Sequence, residues 1–414
     1  MKKYLFYVFA LLLAGCGGGG SSPVAENKSS PSSSPSSNVS LEPLIEFSTP
    51  ASIPADKIRL ALIDYRYDTP VTQIDKRGYH TTSFESIKPT IDRIKQIGFT
   101  GIILQLQVPI NKDTGLVSYF DVKDTNKNIP KDMWKLVTYI KGQGLQVWIS
   151  LGPVDSVNDI NLEPNLSRYT LQHLFQNIIE FQKTIAIVAE QYKVEGIFIG
   201  ACNFTLEKET AHWKYLIAEI KKVYSGKLSY ATCNVNNVDM WHHVDVAAIN
   251  MNETLSKTPI YDLNDIVNLY FNDTLNRNQV ASIKIWHLRY GKKFILITTP
   301  VIADHGVGYT PPGFWDNVII GATATTVMNL SSDKRMQQLK ISAFMEMVNK
   351  YLPDSTMAVG FGEFDPWLQR ANVDNVKGAF SHYYCCGFDL TNNVEAQKTI
   401  NFYFSKPWGY YTVK

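Results

Sequence analysis

Apolar runs and amphipathic segments follow one another along residues 51–414 and predict a regular series of strands and helices. Eight short runs are nearly continuous in Ile, Leu and Val, which is typical of strands buried on both faces. The predicted strands cover residues 58–65, 101–108, 145–151, 196–200, 228–232, 244–250, 294–299 and 357–364. Between them, apolar residues three or four positions apart predict helices. These helices cover residues 84–97, 131–142, 169–192, 209–224, 262–290 and 334–351.

The alternation of strand and helix indicates the fold class. Eight strands with intervening helices are typical of a (β/α)8 TIM barrel, an α/β fold. An open, doubly wound sheet is the alternative, but no glycine-rich phosphate-binding loop follows any predicted strand. We therefore expect residues 51–414 to form one TIM-barrel domain.

The first fifty residues differ from this pattern and are expected to lie outside the domain. Lys2 and Lys3 precede an apolar run at residues 4–14, shorter than the roughly 20 residues of a membrane-spanning helix. A basic start, a short apolar run and small residues are the marks of a secretory signal peptide, expected here at residues 1–15. Residues 16–50 are rich in Gly, Ser and Pro and predict a disordered linker.

The Leu-Ala-Gly-Cys run that ends at Cys16 resembles the lipobox of bacterial lipoproteins. The resemblance implies cleavage before Cys16 and a lipid on its sulfur, which would anchor the chain in a membrane. Gly17 rather than Asp follows the cysteine, and in Gram-negative lipoproteins this favours the outer membrane. We therefore expect a lipid-anchored protein of the bacterial cell envelope.

Charge and residue spacing exclude several classes of function. The formal net charge is +2, and no basic block of the kind that binds nucleic acid is present. The five cysteines and eight histidines show no short paired spacing typical of a metal site. We therefore expect neither a nucleic-acid partner nor a metal or other cofactor.

Polar side chains follow most of the predicted strands, at the end of a barrel where active sites lie. Amides and carboxylates pair with hydroxyl groups, and aromatic rings pack on sugar faces. The set is therefore typical of a site for a polysaccharide or oligosaccharide, although each member alone fits a structural role equally well. The candidate binding residues are Asp64, Arg66, Gln105, Asn203, Asn234, Asn250 and Trp367.

Several segments resemble one known family when they are taken in order. They are the strand at 196–200, Trp213 on the next helix, the Tyr-Ser-Gly-Lys-Leu-Ser-Tyr-Ala run at 224–231, Trp241 with the strand at 244–250, and residues 337–346 with 360–367. Together they resemble the β-mannanase-like barrels of glycoside hydrolase family 113, over roughly residues 58–370. The resemblance implies a (β/α)8 fold and a glycan ligand.

The family's catalytic residues are not conserved at the matching positions. The resemblance implies one glutamate at the end of the fourth strand and another at the end of the seventh, where this sequence has Cys202 and Thr299. Retaining glycosidases need two carboxyl groups about 5–5.5 Å apart, as acid/base and nucleophile. A thiol and a hydroxyl cannot take those roles, and no Asp or Glu lies within two residues of either position.

Three hypotheses about function follow from these residues. The first is a catalytically degenerate barrel that still binds glycan. The second is an active hydrolase, endo-mannanase-like, with relocated carboxylates: Glu363 as nucleophile or base, and Glu207 or Asp304 as acid. The third is a non-enzymatic envelope scaffold or adhesion module whose barrel binds protein.

Two cysteines are candidates for a disulfide near the same site. Cys202 and Cys233 end adjacent predicted strands, so their Cα atoms can lie within the roughly 4.4–6.8 Å that a disulfide requires. An exported protein meets an oxidising compartment in which such a bond persists. Two free buried thiols are the alternative.

Overall fold

The structure is a computed structural model in which a single closed barrel forms the centre of the described chain. The described residues are 46–64, 84–106, 108–117, 131–155, 165–201, 203, 205–251, 260–272, 278–298, 334–362, 364, 390 and 393–413. The predicted signal peptide, Cys16 and the predicted linker up to residue 45 lie outside them. The described part contains no helix with the length and apolarity needed to span a bilayer.

Ten strands are described, and all but β3 and β5 belong to the barrel. The strands are β1 (Ile58–Asp64), β2 (Gly101–Gln105), β3 (Val108–Ile110), β4 (Gln146–Ser150), β5 (Pro153–Asp155), β6 (Gly196–Ala201), β7 (Lys227–Thr232), β8 (Val246–Asn250), β9 (Phe294–Thr298) and β10 (Thr356–Phe361). The barrel closes in the order β1-β10-β9-β8-β7-β6-β4-β2, with every pair parallel. The predicted TIM barrel is therefore confirmed.

Eight α-helices are described around the barrel. They are α1 (Phe84–Ile97), α2 (Lys131–Gly142), α3 (Leu171–Gln191), α4 (Thr210–Lys221), α5 (Leu263–Leu269), α6 (Gln279–Tyr290), α7 (Lys334–Tyr351) and α8 (Val394–Phe404). The helix α8 packs against α7 and α1 and so completes the ring between the last and first strands.

Residues alternate along each strand between the barrel lumen and the layer under the helices. Leu60, Leu62, Ile103, Trp148 and Phe198 belong to the cluster that fills the lumen. Their neighbours along the strands belong to a separate, larger cluster that packs against the helices. This alternation fixes which face of the wall each residue at a strand end occupies.

Two neighbouring connections depart from the simple strand–helix alternation. A 3₁₀ helix, Val235–Asn237, stands between β7 and β8 where an α-helix is usual, and two helices stand between β8 and β9. The helix α6 packs beside the 3₁₀ helix, with the ring centroids of Trp241 and Trp286 6.5 Å apart. The Trp286 indole N–H also donates to Asn236 Oδ1 at 2.9 Å.

The predicted helices and strands agree with most of the observed elements. Two predictions are wrong, and two features of the fold were not predicted. The single helix predicted at 262–290 is wrong, because Asp262 and Asn278 each cap a separate helix. The strand predicted at 101–108 is in fact β2 and β3. The two-stranded sheet of β3 and β5, and the helix α8, were not predicted.

Candidate active site

A row of three polar residues lies at the C-terminal ends of neighbouring barrel strands. The register pairs Asp64 with Gln105 and Gln105 with Ser150, at the last positions of β1, β2 and β4. Gln105 shares its face with Ile103, which lies in the lumen. Gln105 is 3% exposed, and its Oε1 atom has no hydrogen-bond partner in the part of the chain that the structure describes. The oxygen is therefore available to a ligand that donates a hydrogen bond.

A second amide lies across the lumen from this row. Asn250 ends β8 and shares its face with Val246 and Ala248, which belong to the lumen cluster. In the barrel order, β8 and β2 are four strands apart and so lie on opposite sides of the wall. The Asn250 Oδ1 atom is buried and, among the described residues, has no partner either. Two buried acceptors thus face the mouth from opposite directions.

Two further predicted binding residues are engaged in local structure. The Asn203 amide donates to the Pro153 carbonyl at 3.0 Å and accepts from the Ala201 N–H at 3.3 Å, which ties the end of β6 to β5. Asn203 is fully buried. The Asn234 side chain accepts from the Asn236 N–H at 3.1 Å and caps the 3₁₀ helix. Both side chains therefore shape the rim through the backbone.

Glu207 lies outside the lumen, in the layer between the wall and the helices. Its Oε1 atom accepts from the Thr232 hydroxyl at 2.8 Å, and Thr232 shares its face with Leu228 and Tyr230. Tyr230 packs edge-to-face on Trp213 of α4. Burial and the charge of Glu207 raise the pKa of the Tyr230 hydroxyl well above its usual range. Glu207 is 1% exposed, so the geometry favours a structural role for it.

The remaining candidates are only partly described. The backbone of Asp64 belongs to β1, and its side chain lies outside the described part of the structure. The other candidates outside the described residues are Arg66, Cys202, Thr299, Asp304, Glu363 and Trp367. Cys233, 4% exposed beside the end of β7, is disulfide-bonded. The other cysteines lie outside the described residues, so the Cys202–Cys233 pairing stays a prediction.

The described rim can accept hydrogen bonds but assembles no pair of carboxylates. Among the described ends of the barrel strands, Asp64 is the one acidic residue. Among the described residues, no group of three or more His, Cys, Asp and Glu side chains could hold a metal ion. The rim chemistry is therefore suited to binding hydroxyl groups.

Ser150 is a rim residue that the sequence analysis missed. It is 8% exposed and lies next to Gln105 across the β2–β4 pair. The alternation of side chains along the strand could have identified Ser150, because Trp148, two residues earlier, faces the lumen and Ser150 lies on the same face. Ser150 was missed because the predicted strand ran to residue 151, one residue past the end of β4.

Comparisons with known proteins agree with this architecture. A sequence model of Glycoside Hydrolase Family 113 matches residues 70–324. A solved complex of a GH113 β-1,4-mannanase is 17% identical, with a TM-score of 0.58 over 84% of this chain and 99% of that chain. A GH113 β-mannanase from Alicyclobacillus acidocaldarius in complex with ManMIm is 14% identical, with a TM-score of 0.55 over 84% of this chain and 97% of that chain. No curated protein matches the chain significantly.

The structural neighbours share the barrel fold over nearly their whole length. At 17% and 14% sequence identity, these structures show that the fold is shared and nothing more. The family match rests on the sequence, and residues 70–324 make up more than half of the 414 residues. The chain belongs to glycoside hydrolase family 113.

Proposed function

We propose that the protein is a lipid-anchored component of the bacterial cell envelope whose barrel binds a glycan without hydrolysing it. The observation that carries the proposal is the pair of buried amide oxygens, Gln105 Oε1 and Asn250 Oδ1, that face the mouth from opposite walls. A buried acceptor without a partner destabilises a protein by about 1–3 kcal/mol. Sugar hydroxyls would satisfy both acceptors at once.

The residues at the catalytic positions support binding without hydrolysis. Cys202 and Thr299 occupy the places where the family resemblance implies glutamates. Glu207, one of the relocated candidates, is held by Thr232 on the outer side of the wall. A hydrolase needs two carboxyl groups facing one glycosidic bond, about 5–5.5 Å or 6.5–9.5 Å apart. Among the described ends of the barrel strands, Asp64 is the one carboxylate, and one carboxylate cannot supply that pair.

The related structures indicate which glycan to test first. Two of them are described as β-mannanases of the same family. We therefore expect the ligand to be a mannan, a glucomannan or an oligosaccharide derived from them. Hydrogen bonds to acceptors on opposite sides of the mouth would hold such a chain across it.

Affinity electrophoresis of the full chain in gels containing mannan or glucomannan tests the binding. We expect retardation of the wild type and a loss of retardation in Gln105→Ala and Asn250→Ala. Each substitution removes one hydrogen bond, which corresponds to a weakening of about tenfold. Gln143→Ala is the matched control, because Gln143 is a half-buried amide at the opposite end of the barrel, where its Oε1 atom accepts from Lys95 at 3.3 Å. Equal retardation of all four proteins would contradict the proposed site.

Hydrolysis is measured separately, as reducing ends released from the same glycans. We expect no release above that of a heat-denatured sample. Release that Glu363→Gln abolishes would overturn the proposal and support the active-enzyme hypothesis. Absence of both binding and release, with retention of an envelope protein on the purified chain, would support the scaffold hypothesis instead.

The lipid anchor is tested in cells. Wild-type protein is expected to incorporate radiolabelled palmitate and to sediment with the outer membrane. Cys16→Ala should remove the label and release the protein into the soluble fraction. Unchanged labelling of Cys16→Ala would contradict lipidation at this residue.

A further inference from the structure

We propose that the N-terminal face of the barrel, opposite the mouth, docks on a bilayer that carries anionic headgroups. The proposal extends the envelope location given above, but it concerns a different surface from the glycan site. The N-terminal face is defined here as the ends of the helices, the loops that lead from them to the next strand, and the two terminal segments 46–57 and 405–413.

The chain enters the domain at this face. Residues 46–57 lead into the start of β1, and Ser48 N–H donates to Asn401 Oδ1 at 2.8 Å. Ala51 N–H donates to the Phe404 carbonyl at 2.8 Å, and the Asn401 amide donates to the Ile97 carbonyl at 3.0 Å. The entry segment is thus fixed to the ends of α8 and α1. A lipid on Cys16 would therefore pull the domain toward the membrane from this face.

The carboxylates of the face are largely neutralised by neighbouring lysines. Five ion pairs join a carboxylate to a lysine at the helix ends and strand starts. They are Lys293–Asp56, Lys221–Asp245, Lys193–Glu190, Lys141–Glu195 and Lys222–Glu219. A surface lined by such pairs contributes little net charge.

Five further lysines of the face form no ion pair with a described carboxylate. They are Lys95, Lys227, Lys292, Lys350 and Lys406. They lie at the end of α1, the start of β7, the loop before β9, the end of α7 and the segment after α8. Lysines at helix ends also complement the negative end of the helix dipole. These lysines outnumber Glu46 and Asp354, the exposed carboxylates of the face that form no ion pair with a described residue, so the face carries an excess of positive charge.

Aromatic side chains accompany the lysines near the entry point. Phe402 and Tyr411 are 42% and 47% exposed. The Lys406 ammonium lies 5.0 Å from the ring centroid of Phe402, and the Lys350 ammonium lies 5.6 Å from that of Tyr411. Tyrosine, with an apolar ring and a polar hydroxyl, is enriched at the headgroup level of membranes, and exposed phenylalanine rings insert at the same depth. Rings and lysines together match an anionic bilayer surface better than either would alone.

The docked orientation has a consequence for the glycan site. The N-terminal face and the mouth are opposite ends of the same barrel. With the N-terminal face against the headgroups, Gln105 and Asn250 face away from the membrane. A polymer too large to enter the gap beneath the domain could then reach the mouth.

Vesicle co-sedimentation of residues 16–414 carrying Cys16→Ser, from which the predicted basic and apolar signal peptide is absent, tests the docking without a lipid anchor. The vesicles are phosphatidylcholine alone or phosphatidylcholine with phosphatidylglycerol. We expect binding to the anionic vesicles alone, with a steep fall as salt rises. In the same background, Lys95→Gln with Lys292→Gln and Lys406→Gln should weaken binding by about a hundredfold, at about fivefold for each lysine. Tyr411→Ser should weaken it further.

The matched control carries three substitutions of exposed lysines away from this face: Lys208→Gln, Lys214→Gln and Lys284→Gln. Both triple variants lose the same charge, so a purely non-specific attraction would weaken both equally and would overturn the proposal. Equal binding to neutral and anionic vesicles would also overturn it. Should the first triple variant misfold, Lys95→Gln alone, with an expected loss of about fivefold, remains a test. The measurement is independent of lipidation and of glycan binding.

Discussion

The Glu346 carboxylate accepts a hydrogen bond from the Tyr403 hydroxyl at 2.8 Å and so joins α7 to α8. The same carboxylate accepts from the backbone N–H groups of Thr412 and Val413, at 2.5 and 3.0 Å. Glu346 is fully buried. One acidic side chain therefore holds the last helix of the ring and the C-terminal segment together.

Glu346→Gln is expected to destabilise the fold by about 2–3 kcal/mol, because charged acceptors form the stronger hydrogen bonds and an amide leaves one donor unpaired. Burial raises the pKa of Glu346, but the hydrogen bonds from Thr412, Val413 and Tyr403 outweigh it and hold the pKa below its usual value. The wild type should thus lose this stabilisation as pH falls through that lowered pKa, while Glu346→Gln should show a shallower loss. Urea unfolding between acid and neutral pH measures both. Glu395→Gln, at an exposed site on α8, is the control.

Lys340 has the opposite pH behaviour. It lies on α7 at 6% exposure, and burial lowers its pKa to about 8. The unfolded chain holds this proton up to a pH near 10.5, so the wild type should gain stability as pH rises from about 8 to 10.5. Lys340→Met removes the buried charge and should stabilise the protein by about 1–3 kcal/mol at pH 7, where the wild-type amine is protonated. Lys284→Met, at an exposed position, should leave the unfolding midpoint almost unchanged. Destabilisation by Lys340→Met would show that the ammonium contributes favourable interactions.

The fold could be predicted because its strands are buried on both faces. Runs such as 58–64 and 294–298 consist mainly of apolar residues. Such runs predict buried strands without any knowledge of the strands that pair with them. The helix α8 gives a weaker signal, since buried Gln397 and Asn401 interrupt its apolar face. Gln397 donates to the Leu390 carbonyl just before the helix, and Asn401 donates to the Ser48 carbonyl, 353 residues away in sequence. No local pattern reports such a partner.

Gly196 and Trp148 show a second constraint that sequence does not reveal. They are partners in the β4–β6 register, and a Cβ atom on Gly196 would lie 2.2 Å from the Trp148 ring. Gly196→Ala is expected to destabilise the barrel by about 3 kcal/mol, because the fully buried indole cannot move aside. Gly142→Ala is the matched control, since no atom lies within 4 Å of its added Cβ. Thermal unfolding should separate the two variants, and similar midpoints would contradict the packing.

The candidate site was predicted in part, for reasons visible in individual residues. Asn250 ends both the predicted strand 244–250 and β8, so it follows directly from the strand boundary. Gln105 was chosen from a predicted strand that ran three residues past the end of β2, so its place at the strand end is known only from the structure. Glu207 shows the limit of that reasoning. It comes six residues after Ala201, and only the hydrogen bond to Thr232 shows on which side of the wall it lies.

The disulfide of Cys233 provides a test of the predicted pairing. Peptide mapping of the unreduced protein should find Cys233 joined to Cys202. Cys233→Ser should lower the unfolding midpoint, and a reducing agent should lower that of the wild type by a similar amount, since a disulfide commonly contributes about 2–4 kcal/mol. A peptide that joins Cys233 to Cys385 or Cys386 would contradict the pairing and would place a different loop at this rim.

Glu207→Gln separates a structural carboxylate from a catalytic one. Thr232 and Tyr230 fix the Glu207 side chain in the layer beneath α4, so we expect the variant to lose about 1–3 kcal/mol of stability. Its retardation in mannan gels should equal that of the wild type below the unfolding transition, whereas Gln105→Ala should retain stability and lose retardation. The opposite pattern, a stable Glu207→Gln with altered glycan binding or hydrolysis, would require the Glu207 side chain to reach the mouth.

Thr232→Val gives an independent check of the same interaction, because it removes the hydrogen bond from the side of the hydroxyl donor. We expect Glu207→Gln and Thr232→Val to lower the free energy of unfolding by similar amounts. The double variant should lose less than the sum of the two, which would show that the side chains interact directly between the barrel wall and α4.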